Sequence, residues 1–305
     1  MTSTELVLSP RSTQCEYLNA QYNVRHSVTD FERYTKLYRD LSDAAFASLQ
    51  CYRDIPFGAG GNEKLDIFPA AHPDAPVLLF IHGGYWKALS KADSAFMAPA
   101  LTAAGACVVV LEYDLVPDVD LDTIVSQVRR ALAWVYQNIC RYGGDPRRIF
   151  ASGNSAGGHL VGMLLAGGWQ SKMKLPTDVL RGAIPISGIF DLEPLRHTFV
   201  NDWMQLSETN AWHNSPLFSL PTEGAGELFV CYGSLESDEF ARQSTRFLEA
   251  WQAAGFNGHN LISPDKNHFD VVLDLADAHS PLFKAVCKLM RLQPGPLRPA
   301  EFQLT

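Results

Sequence analysis

The stretch RRIFASGNSAGGHLVGMLLAGG, residues 147–168, decides how the rest of the chain is read. RRIFASGN has the apolar content of a strand, and SAGGHLVGMLLAGG that of a helix. Gly153-Asn154-Ser155-Ala156-Gly157 falls on the junction. A serine on a tight strand-to-helix turn projects its hydroxyl beyond the sheet edge, and small residues two positions to either side let the backbones approach. The helix that follows directs its N-terminus at the same point, which favours developing negative charge. A G-x-S-x-G string alone is a weak signal, and its place between strand and helix makes it strong. The plainer role open to Ser155 is that of an ordinary helix N-cap.

Working outward, the same alternation recurs. PVLLFIHGGYW is a short apolar run bounded by glycines, as suits a strand buried on both faces. KADSAFMAPALTAAG predicts a helix, ACVVVLEYD a strand, and LDTIVSQVRRALAWVYQNICRYG a long amphipathic helix. Downstream, the strands VLRGAIPISG, ELFVCYG and HNLISPD are followed or separated by the helices DEFARQSTRFLEAWQAAG and SPLFKAVCKLMRL. YRDIPFGAGGNEKLDIFPA reads as an antiparallel hairpin. The class is therefore α/β, with one open, mostly parallel sheet of about eight strands and helices on both faces. Residues 1–50 form a helical segment, with helical spacing from Asp30 to Leu49, packed on a main body at 51–292. The irregular stretch 190–220, which carries Phe199, Trp203, Trp212 and His213, reads either as a cap or lid or as a surface excursion with its own apolar cluster. The Pro-rich tail 293–305 is expected to be extended.

Composition narrows the partners. The chain has 305 residues, 47% hydrophobic and 19% charged, with a net charge of −8. No Lys/Arg run forms a basic stripe, which argues against nucleic acid and acidic membrane surfaces. The six cysteines contain no C-x-x-C pair, and Cys107 and Cys231 sit in apolar runs as small hydrophobes. That scatter fits a reducing compartment. The N-terminus lacks the pattern of a signal peptide, and no apolar run reaches membrane-spanning length. The expectation is a cytoplasmic enzyme acting on a small molecule, and it leaves room for a homodimer.

The chemistry follows from three further features. His82-Gly83-Gly84-Tyr85-Trp86 ends an earlier buried strand. Acyl transfer needs N–H donors around an oxyanion, and Gly83, Gly84 and Ala156 can supply them. His82 reads as a structural, hydrogen-bonded histidine. Sheets with a serine turn of this kind place nucleophile, acid and histidine in that chain order. Of the late histidines His259, His268 and His279, only His268 lies in the polar loop just beyond the last strand. The acid belongs in a loop between Ser155 and His268. YGSLESDEF, residues 232–240, offers Glu236, Asp238 and Glu239. Ser237 is a credible N-cap that puts Asp238 and Glu239 into a first helical turn, where acids are favourable anyway. Glu236 precedes the cap and is the preferred acid; Asp238 is the alternative, and Asp191 or Glu193, one strand earlier, compete. No metal-ligand spacing is present, so neither metal nor cofactor is expected.

IHGGYW, GNSAGGHL, GSLESDEFARQS and NHF together resemble the arylformamidase (kynurenine formamidase) branch of the α/β-hydrolase superfamily. The resemblance extends to QYNVRHSVTDF and to the hairpin IPFGAGGNEKLDIF. It implies an α/β-hydrolase fold with a small cap, and cleavage of N-formylkynurenine or a similar aryl formamide. Under it Ser155 matches the nucleophile, His268 the base, and Gly83, Gly84 and Ala156 the oxyanion donors. Two departures stand out: Asn154 replaces a usual His, and Glu236 aligns where Asp is common. Both leave a carboxylesterase acting on small-acyl or aryl esters as the alternative. A non-catalytic binding homologue fits less well, because nucleophile and histidine are both kept. Tyr85 and Trp86 are the candidate walls of a flat aromatic slot.

Overall fold

The computed structural model describes residues 10–293, so all but the first residue of the expected tail lies outside them. Two helices lead, α1 (Pro10–Tyr22) and α2 (Phe31–Ser48), joined through a single 3-10 turn at Val24–Ser27. The hairpin β1 (Tyr52–Pro56) and β2 (Lys64–Phe68) follows, then β3 (Ala75–Ile81), α3 (Ala98–Ala103), β4 (Cys107–Leu111) and α4 (Leu121–Asn138). β5 (Gly144–Asn154) runs directly into α5 (Ala156–Leu165), and β6 (Leu180–Ile186) into the short helices α6 (Asn201–Met204) and α7 (Glu208–His213). β7 (Glu227–Gly233), α8 (Asp238–Ala253), β8 (Gly258–Ser263) and α9 (Pro281–Met290) complete the order.

The eight strands form one sheet in the order β1-β2-β4-β3-β5-β6-β7-β8. β1 and β2 pair antiparallel, as does β2 with β4, and every pairing from β4 through β8 is parallel. β3 lies between β4 and β5, so the chain leaves β3 to one side and then crosses to the other. Such a switch point opens a crevice beyond the carboxyl ends of the strands. Every residue of β3 is buried. Val77, Leu79 and Ile81 join the apolar layer of α4, α5 and α8, while Leu78 and Phe80 join that of α3 and α9. The two-residue period of a strand thus feeds two cores from one apolar run.

Two local expectations change. The helix expected across KADSAFMAPALTAAG shrinks to Ala98–Ala103. Pro99 lacks an N–H and is tolerated only in a first turn. The segment before it is pinned instead by Lys91, whose buried ammonium lies 2.7 Å from Asp66 and 2.9 Å from Asp54. Between residues 190 and 220 most apolar side chains join the main core, while Trp212 and Phe218 stack on each other at the surface. Leu192, Leu195, Val200, Met204, Leu206 and Ala211 are buried in the same core as α4 and α5.

Backbone meets backbone very closely in this frame where α5 starts against the end of β3. A Cβ on Gly157 would lie 2.1 Å from the carbonyl oxygen of Ile81, whereas one on Gly61, in the hairpin turn, would meet nothing within 4 Å. Backbone cannot yield as a side chain can. Gly157→Ala is therefore expected to cost about 3 kcal/mol, and Gly61→Ala to stay within about 0.5 kcal/mol of the parent; urea unfolding of the two variants checks the contrast.

Candidate active site

At the β5–α5 junction Ser155 has φ +56° and ψ −117°, a conformation that a non-glycine residue holds only when its surroundings impose it. Those surroundings are backbone: a Cβ on Gly153 would lie 2.6 Å from the Ile81 carbonyl oxygen, and the Ser155 N–H donates to the Ile186 carbonyl at 2.8 Å. Ser155 occupies the cap position of α5, but its hydroxyl makes no capping bond to the first turn. The side chain is thus left free for other work.

Beside it, the loop after β3 is wound through three successive positive-φ residues, Gly84 (+98°), Tyr85 (+51°) and Trp86 (+55°). Gly84 is required here, since a Cβ would lie 2.1 Å from the Ala88 carbonyl oxygen. Among the described residues, the N–H groups of Gly83, Gly84 and Ala156 take no part in backbone hydrogen bonds. His82 is buried and anchored: its Nδ1 lies 2.9 Å from the Gly83 carbonyl, its Nε2 3.0 Å from Glu112, and its ring stacks on Tyr113 at 4.2 Å.

Of the acids, the structure brings Glu236 to His268. Glu236 Oε2 lies 2.6 Å from His268 Nδ1, and the two side chains are 1% and 4% exposed. Its other oxygen accepts from the Ser187 hydroxyl at 2.6 Å and from the Gly233 N–H at 2.7 Å. Three donors on a buried carboxylate satisfy its charge. Asp238 is exposed at the start of α8. Asp191 pairs with Arg246 at 2.9 Å and Glu193 with Arg196 at 2.6 Å. Glu239, read as a mere first-turn acid, is buried and bonds Tyr22 and Arg242. Ser237 caps by position only; its hydroxyl bonds the Gln21 carbonyl instead.

The N-terminal helices hold this edge from outside. Tyr38 donates to the Phe269 carbonyl, Tyr34 accepts from Asn267, and Phe31 and Tyr34 pack on the Phe269 ring. The loop carrying His268 is therefore braced by α2. From α1, the Tyr22 carbonyl accepts from the Tyr85 hydroxyl at 2.5 Å. Tyr85 also meets Trp203, which touches Phe199, so a wall of aromatic rings runs from the glycine loop into the 190–220 segment. Trp86 departs from the expected role of a slot wall. It is 0% exposed, and its indole N–H donates to His159 Nδ1 at 3.2 Å. His159, Ser187, Tyr22 and Tyr34 are contributors that sequence reading missed, although GNSAGGHL contains His159, VLRGAIPISG contains Ser187 and QYNVRHSVTDF contains Tyr22. Among the described residues no cluster of three or more His, Cys, Asp or Glu is arranged to hold a metal ion. Nor is any helix among them long and apolar enough to cross a membrane.

Comparison with known proteins gives the family. A kynurenine formamidase of Danio rerio is 32% identical over 290 residues, covering 93% of this chain and 97% of that protein. The chain belongs to the kynurenine formamidase-like family of α/β-hydrolases. A kynurenine formamidase of Salmo salar is 31% identical over 283 residues, covering 90% of this chain and 94% of its own. A family model described as BD-FAE matches residues 65–196. Among solved structures, a protein of Silicibacter sp. TM1040 assigned as a thioesterase superposes with a TM-score of 0.78 at 27% identity, over 88% of this chain and 97% of that one.

One buried residue of α5 carries a pH dependence. Burial pushes the His159 imidazole down from 6.5 to about 4, against a smaller opposing effect of its bond to Asn214. Between those values the unfolded chain binds a proton that the fold refuses. Stability is then full above about pH 6.5 and falls as pH drops toward 4, by roughly 3 kcal/mol from this group. Urea unfolding at pH 7, 5.5 and 4.5 should show a steeper decline for the parent than for His159→Gln, which cannot titrate.

Proposed function

We propose that the protein is a serine hydrolase of aryl formamides, with Ser155 as nucleophile, His268 as general base and Glu236 as the acid that orients it. The observation that carries the reading is the buried Glu236–His268 hydrogen bond at 2.6 Å, on the sheet edge where Ser155 is held. A carboxylate on Nδ1 leaves Nε2 as the basic nitrogen and stabilises the imidazolium once it forms. In this reading Ser155 Oγ attacks the formyl carbon as His268 takes its proton. The N–H groups of Gly83, Gly84 and Ala156 hold the oxyanion, a contribution of about 3 kcal/mol per donor. His268 then protonates the leaving arylamine, and water repeats the sequence to release formate and restore Ser155.

A formyl group needs almost no acyl pocket, whereas an arylamine needs an apolar slot. Tyr85 with Trp203 and Phe199 is the wall that fits the second requirement, and Trp86 supports it from behind. Similarity to fish kynurenine formamidases over nearly the full chain supports the formamide. A second reading, esterase or thioesterase action on small acyl groups, is favoured by the relative assigned as a thioesterase and by Asn154 in place of His.

Ser155→Ala is expected to abolish turnover of both N-formylkynurenine and p-nitrophenyl acetate. Glu236→Gln should lower kcat by roughly 10³-fold or more, and Asp238→Asn should leave it nearly unchanged; the reverse pattern would move the acid to Asp238. Wild-type ester turnover with negligible formamide turnover would sink the formamidase reading and leave the hydrolase.

A further inference from the structure

The proposed oxyanion donors come from two separate elements. Gly83 and Gly84 belong to the loop after β3, while Ala156 begins α5. Close backbone contact fixes the near end of the loop: a Cβ on Gly83 would sit 2.8 Å from the Asn154 carbonyl oxygen. The far end, Gly84 to Trp86, runs through three positive-φ residues, two of them not glycine. Such a path persists only where surrounding contacts over-determine it.

Its side-chain anchor into α5 is Trp86. The indole N–H donates to His159 Nδ1 at 3.2 Å, and the rings meet edge to face at 5.0 Å and 86°. His159 lies one turn along α5, and its own N–H donates to the Ser155 carbonyl at 2.9 Å. Its Nε2 lies 2.7 Å from the Asn214 carbonyl. Trp86 and His159 are 0% exposed and Asn214 2%, so water does not compete for these bonds. A carbonyl accepts only, so Nε2 carries the hydrogen; an indole donates only, so Nδ1 carries the lone pair. One neutral tautomer satisfies both neighbours. Asn214 is held in turn, its amide donating to Asp122 at 2.9 Å and to the Asn210 carbonyl at 3.0 Å.

We propose that His159 is a positioning residue that locks the two halves of the oxyanion hole together, through the Trp86 N–H on one nitrogen and the Asn214 carbonyl on the other. The proposal rests on the reading of Gly83, Gly84 and Ala156 as oxyanion donors. It assigns a task to two residues that touch neither substrate nor reacting atoms. Donors aimed at the oxyanion act in the transition state more than in the ground state. Loosening the lock should therefore lower kcat and leave KM almost unchanged.

The test measures kcat and KM for an aryl ester and an aryl formamide, per active site titrated with a fluorophosphonate, so that unfolded protein does not count. Affinity for an arylboronic acid, which forms a tetrahedral anion on serine, is measured alongside. Trp86→Phe keeps a ring and deletes the N–H. It should lower kcat about 30-fold, less than the loss of a whole donor, with KM within about twofold and boronate affinity falling in step with kcat. His159→Leu should match it, and the double variant should lose no more than about threefold beyond either single change. His159→Gln offers an acceptor and a donor and should recover most of kcat. Parent-like kcat and boronate affinity per titrated site in Trp86→Phe and His159→Leu, whatever their melting temperatures, would overturn the proposal. So would a loss confined to KM. Should Ser155→Ala keep activity, the serine reading itself falls, which a null result at Trp86 alone would leave standing.

Discussion

The carbonyl oxygens of Ile81 and His82 lie so near the start of α5 that a Cβ on Gly157 would sit 2.1 and 2.7 Å from them. That backbone crossing joins the end of β3 to the first turn of α5, and the geometry of the sheet edge follows from it. With the helix seated there, Ser155 cannot relax out of its positive φ. The glycine loop comes alongside the helix N-terminus, where unbonded N–H groups and the helix dipole point the same way. The strain at Ser155 is held by the parallel pairing of β3, β5 and β6 beneath it, since over-determined surroundings are what keep a residue in a sparsely populated conformation.

The acid side of the site is built differently. Glu236 sits in a loop, not on a strand, and its position comes from hydrogen bonds to three elements: Ser187 after β6, Gly233 at the end of β7, and His268 beyond β8. Ser187 itself has φ +49° and donates its N–H to the Cys231 carbonyl at 2.7 Å. Backbone strain thus recurs on both sides of the crevice, at Ser155 and at Ser187. α1 and α2, which precede the sheet in sequence, close the outside of this arrangement through Tyr22, Tyr34 and Tyr38.

Much of this was legible in sequence because it is local. A strand-to-helix turn bearing serine, a glycine pair at a strand end and a histidine in a polar loop each declare themselves within a few residues. The α/β alternation is equally local, and the helix between residues 91 and 105 is shorter than its composition suggests for a local reason, the proline at its start. The indole of Trp86 shows the limit. An aromatic beside a glycine pair has the chemistry of a slot wall, and nothing within the motif says that a histidine 73 residues away takes its N–H.

The amino-acid sequence alone determined the class of fold, the strand order in time, the turn that carries Ser155 and a short list of acids, because periodicity and turn chemistry act over a few residues. Tertiary structure decided which acid meets His268, 32 residues on, and which hydroxyl supports that acid from 49 residues away. It also made Glu239 a buried anchor for Tyr22, across 217 residues. The physical reason is that desolvated carboxylates must find their donors wherever the packed sheet brings them. Glu236 and Glu239 are alike in sequence, and only the neighbours each was buried against set them apart.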